Sequence, residues 1–241
     1  MFNVNAIVLR AFSFSDTKMM IDVLSREEGR LSCVLRTGKS KSTRSRRQIF
    51  QPLSILELTL DRNNDRQLAT VKDAHIGTAF STIPFDLYKL SISMFLAEFL
   101  HNTTKGEQDS PLLYDYIAES LQLLDGMESG FSNFHLVFMM RLTRFIGFYP
   151  NLDDYTKDCC FDLSNGCFIP PTIPRKGILN AADTKKMQLL MRMNYQTMHL
   201  FAMSHAERNR CLDTILEFYS MHVPDFKEPK SLEVLRELFS S

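Results

Sequence analysis

Residues 31–60 read LSCVLRTGKSKSTRSRRQIFQPLSILELTL. The two ends are strand-like: Leu31–Leu35 is a short apolar run, and Leu53–Leu60 alternates apolar with polar as a half-buried strand does. Between them, residues 36–47 carry six cations, Arg36, Lys39, Lys41, Arg44, Arg46 and Arg47, and no acid. Ser, Thr and Gly fill the other positions and leave no apolar face to bury, so an exposed loop is expected there. A cationic loop held between strands is a grip for an anion, and a nucleic-acid backbone is the polyanion that best fits it.

The flanking sequence supplies more strands. Asn5–Phe14 and Met19–Leu24 are short, rich in β-branched and aromatic residues, and bounded by polar turns. Glu27-Glu28-Gly29-Arg30 and Asp61-Arg62-Asn63-Asn64-Asp65 read as turns, and Gln67–His75 as a fifth strand. Five short strands within residues 1–80 fit a small barrel. The five-stranded OB-fold is the common oligonucleotide binder among these, but periodicity alone does not separate it from an SH3-like barrel.

From about residue 84 the period becomes helical. Phe85–His101 lines up Leu87, Leu90, Met94 and Phe95, and Leu112–Leu124 repeats the pattern with Tyr116, Ile117 and Leu121. Asn133–Phe148 is apolar almost all round, which predicts a central helix capped by Ser132 or Asn133 and ended by Gly147 and Pro150. Residues 149–180, with prolines at 170, 171 and 174, read as an irregular insertion. Helices resume at about 181–193, 205–221 and 230–239. The methionines at 139, 140, 187, 191, 193, 198 and 203 read as core packing. The expected organisation is α+β: a barrel domain over 1–80 and an all-α domain over 81–241.

The 241 residues are formally neutral, 44% hydrophobic and 23% charged. That neutrality hides a division: residues 1–80 hold 13 Lys and Arg against 8 Asp and Glu, and residues 81–241 hold 15 against 20. No secretory signal and no membrane-length apolar run is evident. Five cysteines, an odd number, do not resemble a disulfide framework, so a reduced cytoplasm is expected.

Catalytic motifs are wanting. Gly38-Lys39-Ser40 resembles the end of a P-loop, but the glycine required five residues before Gly38 is Cys33, and no apolar helix follows. There is no Gly-x-Ser-x-Gly elbow and no His-Glu-x-x-His. His199 and His205 are six apart, on what reads as a helix, and share no face. A non-enzymatic protein is expected.

Several phrases together resemble the bacterial recombination mediator family RecO. They are Ala6-Ile7-Val8-Leu9-Arg10, then Val23-Leu24-Ser25-Arg26-Glu27-Glu28-Gly29-Arg30-Leu31, the basic loop, Gln51-Pro52-Leu53-Ser54-Ile55-Leu56-Glu57-Leu58, and Phe145-Ile146-Gly147-Phe148-Tyr149-Pro150. The resemblance is strongest over residues 5–60 and extends to about 225. It implies an N-terminal OB-fold barrel followed by a helical domain. The implied activity is binding single- and double-stranded DNA, annealing complementary strands, and helping to load recombinase onto strands coated by single-stranded-DNA-binding protein. RecR and the acidic, hydrophobic C-terminal tail of single-stranded-DNA-binding protein are the implied partners, and association with the nucleoid follows. Many members carry two Cys-x-x-Cys pairs for zinc in the insertion. This chain has only Cys159, Cys160 and Cys167 there, an incomplete set for a tetrahedral structural site, so no metal or other cofactor is expected. Phe161, Leu163, Phe168 and Ile169 are expected to fasten the insertion by hydrophobic contact.

The expected DNA contacts are Arg10, Arg36, Lys39, Lys41, Arg44, Arg46 and Arg47. Phe12, Phe14 and Phe50 are stacking candidates by position, of which at most one is expected to stack, because Phe on an alternating strand is more often core. Phe50 is the one carried forward. Arg141 and Arg144, near the end of the central helix, serve its dipole or receive an acidic peptide terminus. A different class of function competes with DNA binding: an interaction adaptor whose basic loop docks an acidic protein.

Overall fold

The computed structural model describes residues 1–36, 38, 47–62, 68–105, 111–173 and 175–238. Five strands come first: β1 (Phe2–Ser15), β2 (Lys18–Ser25), β3 (Gly29–Arg36), β4 (Ile55–Asp61) and β5 (Ala69–Thr78). They form a closed barrel in the order β1-β2-β3-β5-β4, with β4 pairing back to β1. All pairs are antiparallel except β3 with β5. This order is that of the OB-fold, which decides between the two barrels that periodicity leaves open.

The barrel interior is built by period-2 alternation. Val4, Ala6 and Val8 of β1, Ile21 and Val23 of β2, Leu31, Cys33 and Leu35 of β3, Leu56, Leu58 and Leu60 of β4, and Val71 of β5 share one buried core. Between β3 and β4 the chain returns to the barrel at Phe50, which joins the same core. Leu53 is buried with φ of 61°, and its N–H donates to the Val8 carbonyl at 2.7 Å while Val8 N–H donates to the Ser54 carbonyl. This left-handed residue delays the fourth strand until Ile55, two residues later than the alternation suggests.

Two helices follow, α1 (Leu87–Thr103) and α2 (Pro111–Gly126). Asp86 caps α1, accepting from the Tyr88 and Lys89 N–H groups. The helix buries Ile92, Phe95, Leu96, Phe99 and Leu100, while Leu87, Leu90 and Met94 are exposed. The sequence placed those last three with Phe95 on the packed face. With apolar residues on both faces, the period does not select which face packs. At the other end of α2, Asp125 accepts from the N–H groups of Ser81, Thr82 and Ile83, and those bonds hold its carboxyl well below the usual carboxylate pKa despite partial burial.

The remaining helices are α3 (Phe134–Leu142), α4 (Ala181–Arg192), α5 (His205–His222) and α6 (Leu232–Leu238). Asn180 caps α4, and a Ser204–Glu207 capping box starts α5. Residue for residue α3 is the most buried helix, as its composition predicts, but it is shorter than expected. Past Leu142 the backbone bonds tighten, Arg144 N–H to Arg141 and Phe145 N–H to Leu142, and the Thr143 hydroxyl donates to the Met140 carbonyl. The coil then ends at Gly147, φ 87°. Asn133 makes no side-chain cap; its amide donates to the Met198 and Phe201 carbonyls and its oxygen accepts from Arg208. Of the methionines at 139, 140, 187, 191, 193, 198 and 203, all are buried except Met203, which is half-buried. His199 lies in a short 3-10 turn and His205 opens α5, so the two are not on one helix.

The insertion is more regular than its prolines imply. It holds a small antiparallel sheet of β6 (Cys160–Asp162), β7 (Cys167–Ile169) and β8 (Ile178–Leu179), in the order β7-β6-β8. Phe161 and Leu163 are fully buried, and Phe161 meets Phe168 edge-on at 5.2 Å. The chain divides into two compact units: Met1–Gly126 with Pro229–Leu235, and Met127–Glu228 with Arg236–Ser241. Both α1 and α2 therefore belong to the barrel's unit. No helix among the described residues is long and apolar enough to cross a membrane.

Candidate nucleic-acid interface

Side chains that alternate away from the barrel core form its outer walls. On the wall made by β1, β2 and β3 the register sets them in rows: Arg10 with Asp22 and Ser32, Phe12 with Met20 and Val34, and Lys18 with Arg36. Two bulges in β1 make this wall possible. Val8 pairs with Val23 and Arg10 with Asp22, so Leu9 is an extra residue and the alternation resumes one position late. Without that insertion, Phe12 and Phe14 would continue the inward series of Ala6 and Val8. With it, Ala11 packs against the core and Arg10 and Phe12 turn outward. The second bulge, between Ser13 and Ser15, leaves Phe14 as an extra residue between the Ser13–Met19 and Ser15–Lys18 pairs.

The outcome is a wall of cations and exposed rings. Phe12 is 37% exposed and Phe14 68%, and the Arg10 guanidinium lies over the Phe12 ring at 4.5 Å. Arg10, Lys18 and Arg36 are all exposed. Arg47 sits at the rim, where its Nη2 donates to the Ser13 hydroxyl at 2.6 Å.

The lower edge of the wall is braced from beneath. Arg30 donates to His101 Nδ1 at 2.6 Å and to the Thr104 hydroxyl at 3.1 Å. Arginine has no acceptor, so Nδ1 accepts and His101 is the neutral Nε2–H tautomer. Burial first, then the Arg30 charge, lowers the His101 pKa, and burial also lowers that of Arg30. Asp22, 3.7 Å from His101 Nδ1, is held by the Ser32 hydroxyl at 2.6 Å.

Of the residues expected to touch DNA, the structure brings Arg10 and Arg36 onto this wall and Arg47 to its rim. Lys39, Lys41, Arg44 and Arg46 lie outside the described residues. Phe50 requires a correction: it is 2% exposed inside the barrel core and offers no ring face to a base. Lys18, Met20 and Val34 are members of the wall that the sequence reading missed, because only strand register shows that they neighbour Arg36 and Phe12.

Arg141 and Arg144 lie in different settings. Arg141 lies in the last turn of α3, half-buried, with its guanidinium 5.8 Å from the Tyr195 ring. Arg144 is exposed beyond the helix end, 4.3 Å over the Tyr149 ring and bonded to its hydroxyl. Elsewhere in the same unit, a largely apolar pocket of about 470 Å³ between α4 and α5 is lined by Leu189, Phe201, Met203 and Cys211, together with Lys185, Lys186 and Glu207.

Comparison with known proteins bears on this arrangement. The family model for the Recombination protein O N terminal matches residues 1–80, and that for the Recombination protein O C terminal matches residues 84–233. The chain belongs to the RecO family. A curated relative named DNA repair protein RecO, from Phocaeicola vulgatus, is 44% identical over 234 residues, covering 97% of each chain. Those of Bacteroides fragilis and Porphyromonas gingivalis, bearing the same name, are 40% and 32% identical, each again over 97% of both chains. The wall of cations and rings therefore lies in the RecO N-terminal segment.

The zinc site carried by many RecO proteins does not fit the residues present. Asp162 spends its carboxylate on the Ser164 and Asn165 N–H groups and the Asn165 amide, and Cys160 stands opposite Ile169, two pairs along the ladder from Cys167. Among the described residues no group of three or more His, Cys, Asp or Glu is placed to hold a metal ion.

Proposed function

We propose that this chain is a non-enzymatic mediator of DNA repair and recombination. It binds single- and double-stranded DNA, anneals complementary strands, and assists recombinase loading on strands coated by single-stranded-DNA-binding protein. The observation that carries this reading is the coincidence of cations and exposed aromatic rings on one open wall of a RecO N-terminal barrel. Lys and Arg contacts to phosphate give affinity without reading sequence. Neutralising phosphates lets two like-charged strands approach and pair, so annealing needs no bond chemistry.

The barrel of residues 1–80 is the DNA-binding domain in this reading, and residues 81–241 serve protein partners, RecR among them. The acidic tail of single-stranded-DNA-binding protein has two candidate receivers: Arg144 with Arg141, and the apolar pocket flanked by Lys185 and Lys186, which offers an apolar floor as well as charge. The protein works in the cytoplasm, at the nucleoid.

Fluorescence anisotropy of labelled single-stranded and duplex oligonucleotides over a salt series tests the reading. Affinity should fall steeply with salt, with a log–log slope of about −0.7 for each phosphate contacted on a single strand, and should vary little with sequence. Reversing Arg44, Arg46 and Arg47 to Glu should abolish binding and annealing with thermal stability nearly unchanged. Absence of binding at low salt would overturn the reading in favour of an adaptor for an acidic protein.

A further inference from the structure

We infer that the outer wall of β1, β2 and β3 is a stacking platform that selects unpaired strands, with Phe12 and Phe14 as its stacking residues. The inference rests on the DNA-binding reading above and adds what that reading lacks, a source of strand preference. Phosphate contacts do not distinguish a single strand from a duplex by any feature of the bases. A ring does, because bases inside a duplex have both faces covered by their neighbours, whereas an unpaired base offers a free face.

The geometry suits that role in three respects. The row Phe12–Met20–Val34 runs across three adjacent strands, an apolar strip about 10 Å wide at ordinary strand spacing. The second bulge adds Phe14 two residues along β1 from Phe12, and its ring is more than half in water. Cations border the rings on both sides: Arg10 over Phe12 on one, and the Lys18–Arg36 pair one row along β2 and β3 on the other. A base covering Phe14 removes apolar surface from water while its phosphates meet these charges. Positive charge interleaved with flat rings is complementary to a strand that alternates phosphate and base. An acidic peptide is the competing occupant, and it would not require π faces.

The test uses the full chain and three fluorescent probes: a base-bearing single strand, an abasic strand with the same number of phosphates, and a duplex. The base-bearing strand should bind tighter than the abasic strand. Phe12→Ala and Phe14→Ala should each weaken binding of the base-bearing strand by about tenfold. Affinity for the abasic strand and the duplex, and the salt slope, should stay as in the parent. The chain has no tryptophan, so Phe14→Trp supplies a single fluorophore at the proposed contact. Its emission should be quenched by the base-bearing strand and not by the abasic one.

Equal affinity of the parent for base-bearing and abasic strands would overturn the inference and leave phosphate binding intact. So would alanine variants that bind all three probes as the parent does, or that lose all three equally. Failure of the parent to bind any probe at low salt would instead overturn the DNA-binding reading beneath it.

Discussion

The barrel has two open walls built on the same backbone rules, and their chemistry is opposite. The wall of β1, β2 and β3 presents Arg10, Phe12, Phe14, Lys18 and Arg36. On the wall of β1, β4 and β5, the register sets Asn3 with Thr59 and Asp73, and Asn5 with Glu57 and His75. Here the polar groups satisfy one another: Thr59 donates to Asn3, His75 bonds Asp73 at 2.9 Å, and Glu27 receives the Asn5 N–H and amide. A shallow groove of about 490 Å³ on that wall is lined by Glu27 and Glu57 among others. In water each carboxylate about 6 Å from a phosphate costs about 0.7 kcal/mol, so a strand crossing the acidic wall meets a barrier where the cationic wall attracts it. The comparison teaches that the chemistry of a barrel wall is set by which side chains the pleat exposes, and that on β1 two bulges do the setting.

Between the two walls, the larger effect is expected from inverting the cationic one. Lys18→Glu with Arg36→Glu should lower single-strand affinity by about 100-fold at low salt, since two phosphate contacts are lost and repulsion is added. Both residues are exposed, so the unfolding midpoint should stay within about 2 °C of the parent. Unchanged affinity would remove this wall from the binding path. Reversing the acidic wall should do far less. Glu57→Lys with Asp73→Lys should raise affinity no more than about threefold, through long-range attraction that salt screens; a 100-fold gain would mean that the strand crosses that wall as well.

The smallest effect concerns the brace under the cationic wall. The folded-state pKa of His101 lies below its ordinary value because burial and Arg30 disfavour the charged ring, with Asp22 opposing them and Arg10 and Lys105 reinforcing them. Folding therefore favours the neutral ring. The stability it supports is complete above about pH 6.5, the unfolded value, and is lost as the pH falls below it. His135, fully buried near Arg208, is pushed down to about 3 and loses stability in the same direction over a wider range. His101→Gln retains an acceptor for Arg30, so subtracting its melting curve from that of the parent isolates this brace. Its midpoint should fall less than the parent's between pH 7.5 and 5.5, by about 2 °C. Identical pH dependence in both would show that the Arg30–His101 bond does not report on ring protonation.

Strand content and helix positions were legible because alternation and the apolar period are local properties. Closure of the barrel was not, since the parallel pairing of Cys33 with Ala69 and Val34 with Thr70 joins residues far apart in sequence. The basic loop was evident from charge alone. The stacking candidates show where local reading stops: Phe50 looked free because it follows a polar loop, yet the chain returns it to the core. Phe12 and Phe14 lie on a strand whose unbroken alternation would make them core, and the break falls at Leu9. One inserted residue reverses the face of everything after it, and no composition signal marks the insertion. Lys18 was unremarkable until its partner Arg36 was known. The buried face of α1 was ambiguous for a different reason, since both of its faces are apolar.

The central claim, that nucleic acid lies on one wall and avoids the other, is tested most directly by photocrosslinking. Single strands carrying 5-iododeoxyuridine would be irradiated with the full-length protein and the adducts mapped by mass spectrometry. The account predicts adducts within residues 10–20 and 31–36, with Phe12 or Phe14 among the modified positions, and none on the outward residues of β4 and β5. Adducts concentrated at residues 55–61 and 69–78, with the cationic wall unmodified, would contradict it.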